Sequence, residues 1–280
     1  KNGQKIHLIQ TGWFASDYIE NSFIEEAKKI SPSVNCIFLD GRDPYNKNIT
    51  LASSDIFMSL SDNIQETFGL TPLEAMASGI PVIVSDWDGY RSTVRDNKDG
   101  FRISSYTLGD GFGEDLMFKY MMGATNYDNY IGGTVHKVGI DVKECIDKLT
   151  LLVESPELRK KFGSNGRERA KNDFSWANIL DQYEELYEEL DSIRVKKYSK
   201  FIDISSKALP SNRQDPFKLF SDYPTNTLDI NTKFKFTENI NNLNLNEILE
   251  LSSIKYTDVL PTEKTLSAIL SCYKSDKLLK

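Results

Sequence analysis

The sequence predicts an α/β fold, a parallel β-sheet with helices on both faces, followed by a small, mainly helical C-terminal extension. Three observations lead there. Apolar runs of strand length alternate with segments of helical spacing from Lys5 to about Arg194. The predicted strands lead into loops that carry Gly12, Gly41, Glu66 and Gly89. After Arg194 the composition shifts, to a Lys/Ser-rich stretch at Val195–Gln214 and an Asn-rich one at Asn226–Asn244.

In order, Lys5–Gln10 reads as a strand ending at Thr11-Gly12-Trp13. Tyr18–Ile30 follows as a helix with Ile19, Phe23, Ile24 and Ala27 on one face. Val34–Leu39 is a second strand ending at Asp40-Gly41-Arg42; a short helix around Lys47–Ser53 leads to a third, Ile56–Leu60. A helix opened by Pro72 precedes the fourth strand, Pro81–Val84. Tyr90–Asp96 suits one short helix, and Phe101–Ile103 is a fifth strand after the Asp99-Gly100 turn. Sheets of this Rossmann-like kind bind ligands at the carboxyl ends of their strands, where the Gly12, Gly41, Glu66 and Gly89 loops fall.

Residues 105–140 break the pattern with glycines and aromatics around one helix, Glu114–Met122, and read as an irregular insert beside the same cleft. Helices resume at Asp141–Glu154, Pro156–Lys171 and Trp176–Leu190. In the last of these Trp176, Ile179, Leu180, Tyr183, Leu186, Tyr187 and Leu190 form an apolar stripe, expected to be core or inter-domain packing, with Ser175 as the N-cap. Helical patterns at Leu245–Ile254 and Thr262–Tyr273 close the chain. The expected division is a ligand-binding domain over 1–194 and a linker with a small helical module over 195–280.

With 280 residues, 39% hydrophobic and 27% charged, the chain can bury a core. A net charge of −7 with interspersed signs lacks the basic footprint of phosphate-backbone binding, so nucleic acid is not expected as a partner. Cys36, Cys145 and Cys272 are odd in number and widely spaced, which fits reduced thiols in the cytoplasm. No apolar run approaches the roughly 20 residues of a membrane-spanning helix, and no signal peptide precedes the first strand. Because the chain opens directly on that strand, further residues are expected before Lys1.

The chemistry concentrates in Ser59–Gly89. Phe68, Gly69, Leu70 and Thr71 precede or open a helix whose first amides have no helical acceptor. Those amides and the positive end of the helix dipole bind phosphate. Gly69 lets backbone approach a phosphate closely. Glu74, placed in the first turn, can accept two charge-assisted hydrogen bonds from a vicinal diol such as a ribose. Glu66, ahead of the turn, can hold hydroxyls of whatever the diphosphate carries. The bland alternative makes Glu74 an electrostatic cap, Glu66 a solvated side chain and Gly69 a turn residue.

The run Glu66-Thr67-Phe68-Gly69-Leu70-Thr71-Pro72-Leu73-Glu74-Ala75-Met76-Ala77-Ser78-Gly79-Ile80-Pro81-Val82-Ile83-Val84 resembles the E-x7-E signature of retaining, GT-B-fold glycosyltransferases of group 1 (family four). Similarity in register extends from about Lys5 to Arg194. The resemblance implies the C-terminal, nucleotide-sugar-binding half of a GT-B enzyme of glycan or polysaccharide biosynthesis. Glu66 would be the catalytic residue, contacting the donor sugar, with Thr67, Phe68, Gly69, Leu70 and Thr71 at the diphosphate and Glu74 at the ribose. The donor would be a nucleoside-diphosphate sugar of the UDP or GDP type. No cofactor and no metal would be required, because helix amides and basic groups stabilise the leaving charge. Front-face attack assisted by the leaving phosphate would make Glu66 a positioning group, a nucleophilic role staying open.

Two departures stand out. The family's sugar-nucleotide domain usually opens with an extra strand ending in a Gly-Arg and a nearby Lys that contact the diphosphate, and this chain is expected to begin after that strand and without the N-terminal acceptor domain. That missing half would bring a glycan, lipid-linked or small acceptor and peripheral attachment at the inner face of the membrane. Alone, the chain is expected to bind nucleotide and transfer little sugar.

Gly12, Gly41, Arg42 and Gly89 are further donor-binding candidates from the strand ends; the alternative for Arg42 is a solvated turn residue, and Tyr90 joins Gly89 as a candidate lining the sugar pocket. Trp13 reads as a packed aromatic or a base-stacking one, His7 as structural, and Arg91 and Arg95 as solvated or paired on one helix face. His136 has no second ligand at metal spacing. Gly109-Asp110-Gly111-Phe112-Gly113 lacks the spacing of a dinucleotide loop. The competing functional reading is a non-catalytic nucleotide-sugar-binding or assembly module.

Overall fold

A computed structural model describes residues 5–197, 214–234 and 263–274. The chain forms two compact units, Lys1–Ser54 with Leu228–Lys280, and Asp55–Thr227. Leu245–Ile254 lies outside the described residues, as does nearly all of Val195–Gln214.

In the first unit, β1 (His7–Gly12) and β2 (Asn35–Asp40) pair in parallel, with His7 opposite Asn35 and Gly12 opposite Asp40. Helix α1 (Asp17–Ile30) starts where Ser16 Oγ accepts from the Ile19 amide at 3.4 Å. Helix α2 (Pro44–Ser53) begins three residues earlier than its apolar spacing predicts. Asp43 caps it by accepting from Tyr45 N at 2.9 Å, and Pro44 occupies the first turn, where no amide is needed.

In the second unit β3 (Phe57–Ser59), β4 (Val82–Ser85) and β5 (Gly100–Ile103) form a parallel sheet in the order β3-β4-β5. Every residue of β4 is buried, as expected of a central parallel strand covered on both faces. The α/β class with parallel strands and helices is as predicted, but the five strands divide between two sheets instead of forming one. Between β3 and β4 runs α3 (Leu70–Ala77), closed by hydrogen bonds from Gly79 N to Met76 O (2.9 Å) and from Ile80 N to Ala75 O (3.0 Å). The helix after β4, α4 (Tyr90–Thr93), is shorter than predicted and excludes Arg95, which instead pairs with buried Asp99 at 2.7 Å.

Residues 105–140 are more regular than the expected irregular insert. They contain β6 (Ser105–Leu108), α5 (Glu114–Met121), α6 (Tyr127–Val135) and β7 (Gly139–Ile140). The regularity comes from partners distant in sequence: β6 lies between β7 and β8 (Asn226–Leu228), and α10 (Pro216–Leu219) precedes β8. Leu116, Tyr130 and Ile131 bury against Ile64 and Trp87, with Phe220 and Tyr223 at the margin.

Helices α7 (Val142–Glu154) and α8 (Pro156–Asp173) cover the sheet through Ile83, Phe101, Ile103, Cys145, Leu152 and Phe162. α9 (Trp176–Lys197) runs seven residues past its expected end, and α11 (Glu263–Lys274) falls where the Thr262–Tyr273 pattern placed a helix. On the α9 stripe Trp176 is 78% and Tyr187 63% exposed, so of the two expected roles, core or inter-domain packing, these side chains do not take the first among the described residues.

Candidate functional site

Strand β3 delivers the chain into a loop whose first anchor is Asn63. Its carbonyl accepts from Glu66 N at 2.9 Å and from the buried indole Nε1 of Trp87 at 3.0 Å, while its side chain accepts from Gln65 N at 2.9 Å. This turn presents Glu66, half-buried, toward Tyr90. The Tyr90 hydroxyl donates to Glu66 Oε2 at 3.3 Å, which leaves Ser59 Oγ, 2.9 Å away, to donate to Tyr90. Tyr90 is 1% exposed, and burial, reinforced by the Glu66 charge, pushes its phenol up to about 12. It therefore stays a neutral hydrogen-bond donor throughout the physiological range. Removing that hydroxyl in Tyr90→Phe is expected to cost about 1–2 kcal/mol of stability, measured by urea unfolding, with Glu66 losing its fixed orientation.

Two glycines bring the backbones of this site together. Gly69 lies in the left-handed region (φ 79°), and a Cβ there would run into the Tyr90 ring. A Cβ on Gly89 would overlap Thr67 O and Phe68 Cα. The chain after β4 thus seats directly on the backbone ahead of α3, with Tyr90 beneath Gly69.

No side chain caps the N-terminus of α3. Leu70, Thr71 and Pro72 form its first turn, so the helix opens two residues before Pro72, and the amides there are of the kind that lack an intrahelical acceptor. Glu74 is the fifth helical residue and no acidic residue lies in the first turn, a correction to the expected placement. The shift argues against Glu74 as a mere dipole cap, because that effect fades beyond the first turn. Glu74 is half-buried; Thr67, Phe68, Leu70 and Thr71 are exposed.

The structure therefore brings Glu66, Thr67, Phe68, Gly69 and Gly89 together, with Leu70, Thr71 and Glu74 following on α3. Tyr90, weighed from sequence only as a pocket-lining residue, emerges as the group that orients Glu66. No local sequence signal joins positions 66 and 90.

Gly12, Gly41 and Arg42 belong to the other unit. There Gly41 N donates to Gly12 O at 2.8 Å, and a Cβ on Gly41 would come within 3.0 Å of Gly12 N. Arg42 is engaged by Asp40, with Nη2 2.8 Å from Oδ2 and Nε 3.0 Å from Oδ1, and this pairing holds Asp40 down at about 2. The Arg42 guanidinium also lies 5.7 Å from the ring centre of Trp13, which is 64% exposed and so not the packed aromatic expected. His7 Nδ1 and Asn35 Nδ2 lie 2.9 Å apart across β1 and β2. Among the described residues no group of three or more His, Cys, Asp or Glu is placed to hold a metal ion, and no helix is long and apolar enough to cross a membrane.

Phe68, Leu70 and Leu73 of the site also wall a groove of about 480 Å³ with Phe174, Trp176, Ile179 and Tyr183.

Residues 2–110 match the family described as Glycosyl transferases group 1. The chain is 25% identical over 142 residues to an alpha-maltose-1-phosphate synthase of Mycolicibacterium smegmatis, covering 51% of this chain and 29% of that protein. It is 24% identical over 190 residues to a trehalose synthase of Pyrococcus horikoshii, covering 67% of this chain and 35% of that protein. The chain thus spans about a third of the length of these relatives. Among solved structures, Anabaena Alr3699/HepE in complex with UDP aligns with a TM-score of 0.45 and 16% identity, over 66% of this chain and 41% of that one.

Proposed function

We propose that this chain is the donor-binding part of a retaining, GT-B-type glycosyltransferase. One observation carries the reading: an uncapped helix N-terminus, approached by two glycines whose Cβ atoms would collide with their neighbours, lies between a carboxylate oriented by a buried tyrosine and a second carboxylate one helical turn further in. The family match over residues 2–110 supports it.

In this reading the amides of Gly69, Leu70 and Thr71 take the diphosphate. Their dipole and hydrogen bonds stabilise charge that develops on the leaving phosphate, with no step that needs a metal. Glu74 accepts from the ribose hydroxyls. Glu66, held by Tyr90, accepts from hydroxyls of the sugar and fixes the anomeric carbon for front-face attack; Gly89 leaves the sugar room beside the 67–68 backbone. The acceptor, a glycan, a lipid-linked sugar or a small hydroxyl compound, is brought by a further domain, so this chain alone transfers little or no sugar.

Calorimetric titration with UDP, GDP and ADP tests the reading. Saturable binding of one of them is expected; no binding of any would overturn it in favour of an assembly module.

A further inference from the structure

The segment from Asp215 to Thr225 has no part in the donor site as proposed, yet it is bonded to the loop that closes that site. At its start Asp215 is 6% exposed and accepts from Gly111 N at 2.5 Å and from Phe217 N at 2.9 Å, and Tyr130 Oη donates to Gln214 O at 3.2 Å, so the segment is fastened to the 105–140 layer. At its end it meets residues 86–91 one after another. Thr225 Oγ1 donates to Asp86 Oδ2 at 2.7 Å, and Ser105 Oγ, which donates to Asp86 O at 2.8 Å, accepts from Thr225 N at 3.1 Å. The Tyr223 ring stands edge-on to Trp87 with centroids 5.5 Å apart, and its carbonyl accepts from Asp88 N at 3.2 Å. Burial, together with a hydrogen bond to the Asp88 carboxylate, raises its phenol to about 12. Asp222 O accepts from Arg91 Nη1 at 2.5 Å.

The clasped loop is strained and under-determined by itself. Asp88 has φ 29°, outside the favoured regions for a residue with a side chain, and such a conformation persists where the surroundings over-determine it. The four residues of α4 that follow are too few to hold a helix without tertiary support. Asp86 is bound from the other side by Arg91 and Arg102, at 3.3 and 3.4 Å.

We infer that residues 222–225 act as a clasp whose Tyr223 and Thr225 are positioning residues for the donor site, fixing the 86–91 loop so that Gly89 seats on the 67–68 backbone and Tyr90 orients Glu66. This rests on the donor reading for its consequence, and on geometry alone for the clasp. Neither residue touches the substrate. Their effect passes through Asp86 and Asp88 to Tyr90, so it falls on the sugar and not on the nucleotide.

The test uses the full chain and compares Thr225→Val with Thr225→Ser, and Tyr223→Phe with the parent, by two readouts. Hydrogen exchange of amides at 86–91 and at 66–69 should accelerate about tenfold or more in Thr225→Val and Tyr223→Phe, the expected loss of one hydrogen bond to a carboxylate, and return toward the parent in Thr225→Ser. Unchanged exchange at both segments overturns the clasp. Titration with UDP and UDP-glucose, and with GDP and GDP-mannose, should show the sugar nucleotide of the bound base weakened about fivefold in Thr225→Val and the bare nucleotide unchanged; equal weakening of both overturns the positioning role. If the parent chain binds none of the four, the donor reading falls while the exchange result still decides the clasp.

Discussion

Glu74→Ala is expected to weaken nucleotide binding by about 1.5–3 kcal/mol, the usual worth of hydrogen bonds to a charged group. That is roughly a ten- to hundredfold loss in affinity for the bare nucleoside diphosphate. Glu66→Ala should leave the bare nucleotide unaffected and weaken only the sugar nucleotide. The asymmetry follows from placement. Glu66 lies before Gly69, on the turn that Asn63 and Tyr90 hold, whereas Glu74 lies on α3 past the amides proposed to take the phosphates. Calorimetry on both variants, with and without the sugar, separates the two ends. Equal loss of the bare nucleotide in both would break the division of labour.

Gly89→Ala is expected to be the most damaging single-methyl addition in the site. The new Cβ would overlap Thr67 O and Phe68 Cα, which are backbone and cannot rotate away as a side-chain tip can. Either the 86–91 loop lifts or the 67–69 backbone moves, and overpacking of this kind costs about 1–3 kcal/mol, occasionally more. The added methyl breaks no hydrogen bond directly, so the site should register the shift: sugar-nucleotide affinity should fall by more than stability alone accounts for. Urea unfolding and calorimetry on the same preparation would show both. A variant with parent-like stability and affinity would mean that the close approach of Gly89 has no role.

The strands and long helices were legible because each carries its own period and caps. Ser16 and Asp43 cap their helices by the hydrogen bonds their side chains suit, and the Asp43-Pro44 pair was a readable start signal that the apolar spacing obscured. Asp215-Pro216 is the same signature, and it opens α10 in a stretch read as linker. Within 105–140 the helix expected at Glu114–Met122 was legible and stands at Glu114–Met121, but the strands were not, because β6 finds one partner in β8 about 120 residues on, and no local pattern announces so distant a pairing. The period of α9 predicted which residues share a face but not what covers it, and Trp176 and Tyr187 prove exposed.

In the candidate site, the E-x7-E spacing named the carboxylates and Gly69. It could not show that Tyr90 is buried with its hydroxyl on Glu66, nor that Gly89 touches Thr67, since both contacts depend on β4 returning the chain beside β3. Pro72 marked the helix without fixing its first residue, which moved Glu74 out of the first turn.

The most direct test of a donor clamp is a cycle on the ribose contact. The nucleoside diphosphate that binds and its 2′,3′-dideoxy form are each titrated into the parent chain and into Glu74→Ala. The parent should prefer the natural ribose by at least tenfold, about 1.4 kcal/mol, and Glu74→Ala should bind the two forms equally. A preference for the natural ribose that survives in Glu74→Ala would contradict the donor clamp.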